Sequence, residues 1–217
     1  KRSWTGALLP TDLRGEILTN TSTGLIAQLR TLDLVGDYAG DELFIIEGDS
    51  LLLHCFSDTA LDFSNGLPLL HATSLVERFL ADLCRRKCVF HVVFFADHAQ
   101  RCIPPHTSNE SWPKYRLARE AILRHLLQNL TTAVPAIQIR HYKSYQSHEF
   151  EQYLQHTGVY FLMCHDGTAP AVKPQSSTTL LKHNAADGAS NTWATKITMR
   201  SMIHWFVCQG YNISLLN

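Results

Sequence analysis

The feature that most constrains the fold is a series of short and nearly uninterrupted apolar runs. Residues 88–95 read CVFHVVFF, and the runs at 43–46 and 159–163 are similarly apolar. Strands of this kind are covered on both faces, as they are in parallel sheets. Helical patterns separate these runs, so that strand and helix alternate about five times along the chain. This alternation predicts an α/β fold, a three-layer α/β/α domain of Rossmann-like type with a central, mainly parallel five-stranded sheet.

The predicted elements divide the chain into two parts. The strands are expected at 43–46, 88–95, 137–142, 159–163 and 211–216, and the helices at 70–87, 115–130, 147–158 and 193–209. Residues 43–217 therefore form the domain, and the parallel order reverses between its first and fourth strands. Residues 1–42 form an N-terminal helical arm packed on the domain, because Leu25, Leu29 and Leu32 share one helical face that ends near Gly36. The segment 168–192 is rich in Ser, Thr and Asn and is predicted to be a flexible surface insertion.

The composition excludes several classes of protein. Nineteen Lys and Arg residues balance nineteen Asp and Glu residues, so the domain is not one that binds nucleic acid over its whole surface. No apolar run approaches the roughly 18 residues of a membrane span, so no membrane partner is expected. The six cysteines are scattered and mostly lie in apolar runs, as reduced and buried cysteines do.

Acidic residues follow three of the predicted strands. Asp49, Asp97 and Asp166 come at the ends of the first, second and fourth strands, and Glu149 and Glu151 open the helix before the fourth. Because the carboxyl ends of parallel strands lie at one edge, these acids are expected to converge there. Carboxylates crowded in this way suit Mg²⁺ or Mn²⁺, which in pairs activate water and stabilise the leaving oxygen of a phosphodiester.

Two alternatives remain open at this point. Aspartates are common in the loops after strands, and acids in the first turn of a helix complement its dipole without any metal. A group of basic residues near the predicted acidic edge also has two interpretations, either a solvated helix face or a patch that tracks nucleic-acid phosphates. This group consists of Lys114, Arg116, Arg119 and Arg124.

Three segments resemble PIN-like nucleases. The first resembles the group as a whole, and the second and third resemble its flap-endonuclease branch. FIIEGDSLLL at 44–53 is similar to the first strand of that group, which places Asp49 on the first acid. HVVFFADH at 91–98 places Asp97 on the second acid, and the stretch 148–167 resembles a Glu-x-Glu helix followed by a strand and an acid. The resemblance implies a catalytic set of Asp49, Asp97, Asp166 and Glu149, with Glu151 as a further metal ligand. One position departs from the pattern, since flap endonucleases carry a second aspartate where this chain has Thr168.

A closer resemblance extends from about residue 44 to residue 217. GDSLLLHC at 48–55, LVERFLADL at 75–83, LAREAILRHLLQN at 117–129 and YFLMCHDG at 160–167 occur in the same order in a class of large helicases. These are the N-terminal regions of superkiller-type DExD/H-box RNA helicases, the interferon-induced antiviral helicases and their fungal relatives. The sequence contains neither G-x-x-x-x-G-K-[S/T] nor a DExD/H box. The resemblance therefore implies an accessory module, with the ATP-hydrolysing helicase core beyond Asn217.

Two functions follow from the resemblance. The first is an accessory, cytoplasmic scaffold with a degenerate acidic site, which helps to hold RNA or protein partners, including the rest of the helicase chain. The second is an active hydrolase, a Mg²⁺- or Mn²⁺-dependent nuclease that cuts RNA or single strands. The position of Thr168 favours the scaffold.

Overall fold

The computed structural model describes residues 6–8, 30–32, 42–105, 107–130, 137–167 and 185–216, with the backbone alone at 6–8, 30–32 and 185–193. The strands are β1 (Gly6–Leu8), β2 (Arg30–Leu32), β3 (Leu43–Glu47), β4 (Val89–Phe95), β5 (Gln138–Tyr142), β6 (Phe161–Cys164) and β7 (Asn212–Leu215). The α-helices are α1 (Gly48–Phe56), α2 (Leu69–Arg85), α3 (Trp112–His125), α4 (His148–Thr157) and α5 (Ala185–Cys208). A π-helical segment, Leu126–Leu130, continues α3.

The strands form one sheet in the order β2-β1-β7-β6-β3-β4-β5. The five strands from β7 to β5 are all parallel, and β3 lies between β4 and β6. The first strand of the parallel sheet therefore neighbours both the second and the fourth. This confirms the predicted five-stranded parallel sheet and the predicted reversal of its order.

Helices cover both faces of the sheet. On one face, α1, α2 and α3 enclose an apolar cluster centred on Phe44, Phe90 and Phe94. On the other, α4 and α5 pack on a second cluster that contains Ile45 and Val93. Residues 44 and 45 alternate between the clusters because successive side chains of a strand point to opposite faces. The three-layer α/β/α architecture is confirmed, with a continuous core on each face.

The N-terminal part differs from the expected helical arm. Arg30–Leu32 is a strand, and it pairs antiparallel with Gly6–Leu8, which in turn pairs antiparallel with β7 through Leu8 and Ser214. Pairing with the edge of an existing sheet satisfies the backbone hydrogen bonds, whereas a short isolated helix is marginal. Residues 1–5, 9–29 and 33–41 lie outside the described part of the chain, so the boundary at residue 42 stays a prediction.

The last helix is longer than expected. It begins at Ala185 rather than at residue 193, so the predicted insertion at 168–192 is wrong for its final residues. Residues 168–184 lie outside the described part of the chain. Within α5, Met199, Met202 and Phe206 are fully buried, so the packing of these side chains against the sheet stabilises the helix.

Candidate functional site: the carboxyl edge of the parallel sheet

The carboxyl end of β3 carries two fully buried acids. The strand ends at Glu47, not at Asp49, and α1 begins immediately after it. Glu47 is the N-cap of α1 and accepts a hydrogen bond from the backbone N–H of Ser50. Asp49 lies in the first turn of the helix, where an acid complements the helix dipole. The turn thus brings two acids together at the sheet edge, and sequence reasoning had selected only Asp49.

Asp49 is bound by the guanidinium of Arg119. Nε of Arg119 donates to Oδ1 of Asp49 at 2.6 Å, and Nη2 donates to Oδ2 at 3.0 Å. The Asp49 side chain is 0% exposed and that of Arg119 is 3% exposed, so water screens the pair very little. Burial and the charge of Glu47 raise the pKa of Asp49 to about 7, against the opposing effect of Arg119. Burial lowers the pKa of Arg119, but the bonds and charge of Asp49 outweigh burial and raise it.

Arg119 reaches Asp49 because it lies on the buried face of α3. Its neighbours on that face are apolar, namely Tyr115, Ala118, Ile122, Leu123 and Leu126. Residues three and four apart share a helix face, so this arginine lies within the apolar stripe. The guanidinium also lies over the ring of Phe94, with Cζ 5.6 Å from the ring centroid. The sequence grouped Arg119 with surface cations, but the structure places it in the interior.

Glu47 is bound to a second buried partner, His98. The two side chains are 0% and 1% exposed, and Nδ1 of His98 lies 3.3 Å from Oε1 of Glu47. Burial by itself raises the pKa of Glu47, but the interactions with His98 and Ser50 outweigh burial and lower it. His98 directly follows Asp97 in a 3₁₀ turn, Ala96–His98, after β4. This pair therefore ties the ends of β3 and β4 together.

Asp166 lies after β6 in a different electrostatic environment. Its Oδ2 is 3.8 Å from Nη2 of Arg200 on α5, and its Oδ1 is 3.8 Å from Nδ1 of His165. The same Nδ1 accepts a hydrogen bond from the backbone N–H of Gly167 at 2.9 Å, and burial lowers the pKa of His165. A nitrogen that accepts a bond carries no proton, so His165 is neutral in this arrangement.

The other predicted acids lie on the surface. Asp97, Glu149 and Glu151 are exposed. Burial and the charge of Asp97 raise the pKa of Tyr145. Burial and the charge of Glu149 raise the pKa of Tyr142, which ends the outer strand β5. Glu149 and Glu151 occupy the first turn of α4, where both complement the helix dipole.

These placements bear on the expected metal site. Among the described residues, which include all five predicted ligands, no three His, Cys, Asp or Glu side chains are grouped closely enough to hold a metal ion. Asp49 already has both carboxylate oxygens bound to Arg119. The arrangement as it stands therefore does not fit a divalent cation at Asp49, and Mg²⁺ or Mn²⁺ stays a prediction.

The basic residues selected from the sequence do not form one patch. Lys114 donates from Nζ to the backbone carbonyls of Phe63 and Ser64, at 2.8 and 2.9 Å. It anchors a loop, while Arg119 is buried. Arg116 and Arg124 are exposed on α3. Arg116 borders a surface groove of about 360 Å³, lined by Ala99, Pro113, Arg116, Leu117, Arg119 and Glu120.

Sequence reasoning missed three residues of the edge, Glu47, His98 and His165. Glu47 could have been found, because it is the acid that directly ends the apolar run of β3. The buried position of Arg119 also had a signal, since it interrupts the apolar spacing of α3. No local pattern marks His98, because its partner Glu47 lies 51 positions earlier in the chain. The partners of His165 are its neighbours Asp166 and Gly167, but its burial depends on the packing of the sheet edge.

Three layers with the strand order described above, and with acids after the strands, are consistent with a PIN-like domain. A family model described as the PIN-like domain of the ATP-dependent RNA helicase DDX60 matches residues 15–199, which is most of the chain. The chain therefore belongs to this family of helicase PIN-like domains. No solved structure matches it significantly. None of the helices in the described ranges has the length and apolar character needed to cross a membrane.

Proposed function

We propose that this domain is a non-cleaving, cytoplasmic scaffold of an RNA helicase, which helps to hold single-stranded RNA for the rest of the helicase chain. The observation that carries the proposal is that the described residues contain no group of three potential metal ligands. Two-metal cleavage needs several carboxylates on one pair of ions. In this domain Asp97, Glu149 and Glu151 are exposed, and both carboxylate oxygens of Asp49 are bound to Arg119.

The surface of α3 supports an RNA-facing role. Arg116 and Arg124 are exposed, and Leu117 beside the groove is 56% exposed. Guanidinium groups contact phosphates, and exposed apolar groups beside them give bases a surface to pack on. Two arginines provide modest and salt-sensitive affinity, which suits a module that assists a helicase rather than one that binds RNA tightly.

The test separates binding from cleavage. The purified chain is incubated with end-labelled single-stranded RNA in Mg²⁺ or Mn²⁺, and cleavage is followed on a gel while binding is followed by filter retention. We expect retention that falls with salt and no cleavage beyond that of a variant with Asp97→Asn and Asp166→Asn. Cleavage that those substitutions abolish would establish the nuclease alternative.

A matched pair of variants tests the binding surface. Replacing Arg116 and Arg124 with Gln is expected to lower RNA retention and the salt dependence together, because both side chains are exposed on α3. The control replaces Arg78 and Arg85 with Gln, which removes the same charge from exposed positions of α2. Equal losses in both would show that only net charge matters. Absence of RNA binding, together with a stable contact with the helicase core, would indicate a protein-binding scaffold instead.

A further inference from the structure

The guanidinium of Arg119 is surrounded by oxygen atoms at the sheet edge. It donates to both carboxylate oxygens of Asp49, from Nη2 to the carbonyl of Phe95 at 3.3 Å, and from Nη1 to Oε1 of Glu120 at 2.7 Å. Two carboxylates and a backbone carbonyl are ligand types that Mg²⁺, Mn²⁺ and Ca²⁺ use in proteins. In this domain the same ligand types surround the guanidinium of Arg119, a cation that is covalently part of the chain.

This charge lies at Asp49, one of the five acids at which a cation was expected. Asp49 lies two residues after the end of β3, in the first turn of α1, and Phe95 is the last residue of the neighbouring parallel strand β4. The guanidinium therefore bridges the carboxyl ends of two adjacent strands. Glu47 lies close enough to act electrostatically on Asp49 and is itself bound to His98, so Asp49 is the buried acid that depends on Arg119 for a compensating charge.

We propose that Arg119 is a built-in cation, which occupies the place of a divalent metal ion at the carboxyl edge and makes this edge independent of metal. An arginine keeps its charge at every accessible pH and cannot dissociate, whereas a bound ion exchanges with the solvent. The inference deepens the proposed scaffold function, since an edge closed by an arginine lacks an exchangeable Lewis acid. Its test measures stability and is independent of whether the domain binds RNA.

A purely structural ion pair is the competing explanation. A buried pair can often be replaced by apolar side chains without loss of stability, so burial alone does not establish a cation site. The two explanations differ in what happens when only the guanidinium is removed. A cation site that has lost its cation leaves Asp49 buried without compensation and should accept a divalent ion, whereas Glu47 keeps His98 and the N–H of Ser50. A simple packing site should not.

The experiment is thermal unfolding of the 217-residue chain with and without millimolar Mn²⁺. The unmodified protein is expected to melt at the same temperature in both conditions. Arg119→Met is expected to melt lower without metal and to gain about 5 to 10 °C when Mn²⁺ is about 100-fold above its dissociation constant. Arg116→Met, an exposed arginine on the same helix, is the matched control and should show neither effect.

A second variant keeps the test decisive if Arg119→Met fails to fold without metal. Asp49→Asn combined with Arg119→Met removes both charges, so it should fold and should respond less to Mn²⁺ than Arg119→Met does. Folding of the single variant on addition of Mn²⁺ would then support the proposal. A rise in the melting temperature of the unmodified protein that Asp49→Asn abolishes would overturn it. So would an Arg119→Met variant that does not respond to Mn²⁺, or failure of the double variant to fold.

Discussion

Gly48 separates the two buried acids of the edge, and the ring of Phe94 lies directly against it. A Cβ atom at residue 48 would lie 2.5 Å from Cδ1 and Cε1 of Phe94 and 2.6 Å from Cζ. Phe94 is 0% exposed, and the same ring lies under the guanidinium of Arg119. Gly48→Ala therefore forces a buried ring to move, and that movement disturbs the ion pair of Asp49.

The size of the effect follows from two opposing contributions. Forcing an extra methyl group into a well-packed core costs about 1–3 kcal/mol. Alanine within a helix regains up to about 1 kcal/mol relative to glycine. Because the contacts of 2.5–2.6 Å involve a fully buried ring, the cost falls in the upper part of that range, about 2–3 kcal/mol. We therefore expect Gly48→Ala to reduce the free energy of unfolding by about 1–3 kcal/mol, which lowers the melting temperature by about 2 to 12 °C for a chain of this length.

The assay is urea unfolding monitored by fluorescence and circular dichroism. Gly66→Ala is the matched control, because residue 66 is exposed and the nearest atom to its Cβ would be the Asp62 carbonyl oxygen at 3.9 Å. That control should change stability by less than about 0.5 kcal/mol. Gly48→Ala combined with Phe94→Leu should cost less than the sum of the two single changes, since the smaller side chain makes room. A Gly48→Ala variant as stable as the control would refute the reasoning.

Three further predictions concern other parts of the fold. Gly167→Ala should lower the free energy of unfolding in urea more than Gly158→Ala does. Both glycines have a positive φ, but only a Cβ at residue 167 would meet the backbone, 2.7 Å from Cα of Lys196. Equal losses in the two variants would contradict this. Burial lowers the pKa of His91, so as the pH falls below about 6.5 the unfolded chain binds a proton at this residue before the folded chain does. The contribution of neutral, buried His91 to the free energy of unfolding is therefore complete above about pH 6.5 and is lost as the pH falls. His91→Gln should therefore flatten the pH dependence of unfolding below about pH 6.5, and an unchanged slope would exclude this contribution. Lys114→Met should speed proteolysis of the loop at 63–64, whose carbonyls it binds, whereas Arg116→Met should not, and equal rates would refute the anchoring role.

The sequence determined the layered architecture, because the signals for it are local. The apolar runs that became β3, β4 and β6 identify buried parallel strands, and the amphipathic spacing of residues 70–87 identifies α2. The order of the segments along the chain also indicated the helicase-associated PIN-like family, which the family match confirms. The strand of residues 30–32 could not be predicted in this way, because it depends on a partner at Gly6–Leu8 and on the edge of β7.

The state of the acidic edge was decided only by the tertiary structure. The sequence shows Asp49 and Arg119 as two charged residues 70 positions apart, and nothing local indicates that one neutralises the other. The packing of α3 against the sheet places the guanidinium between the ends of β3 and β4. The same long-range packing buries Glu47 beside His98. Strand and helix formation follow from short-range patterns, whereas the charge balance of a buried site depends on which distant elements the fold brings into contact.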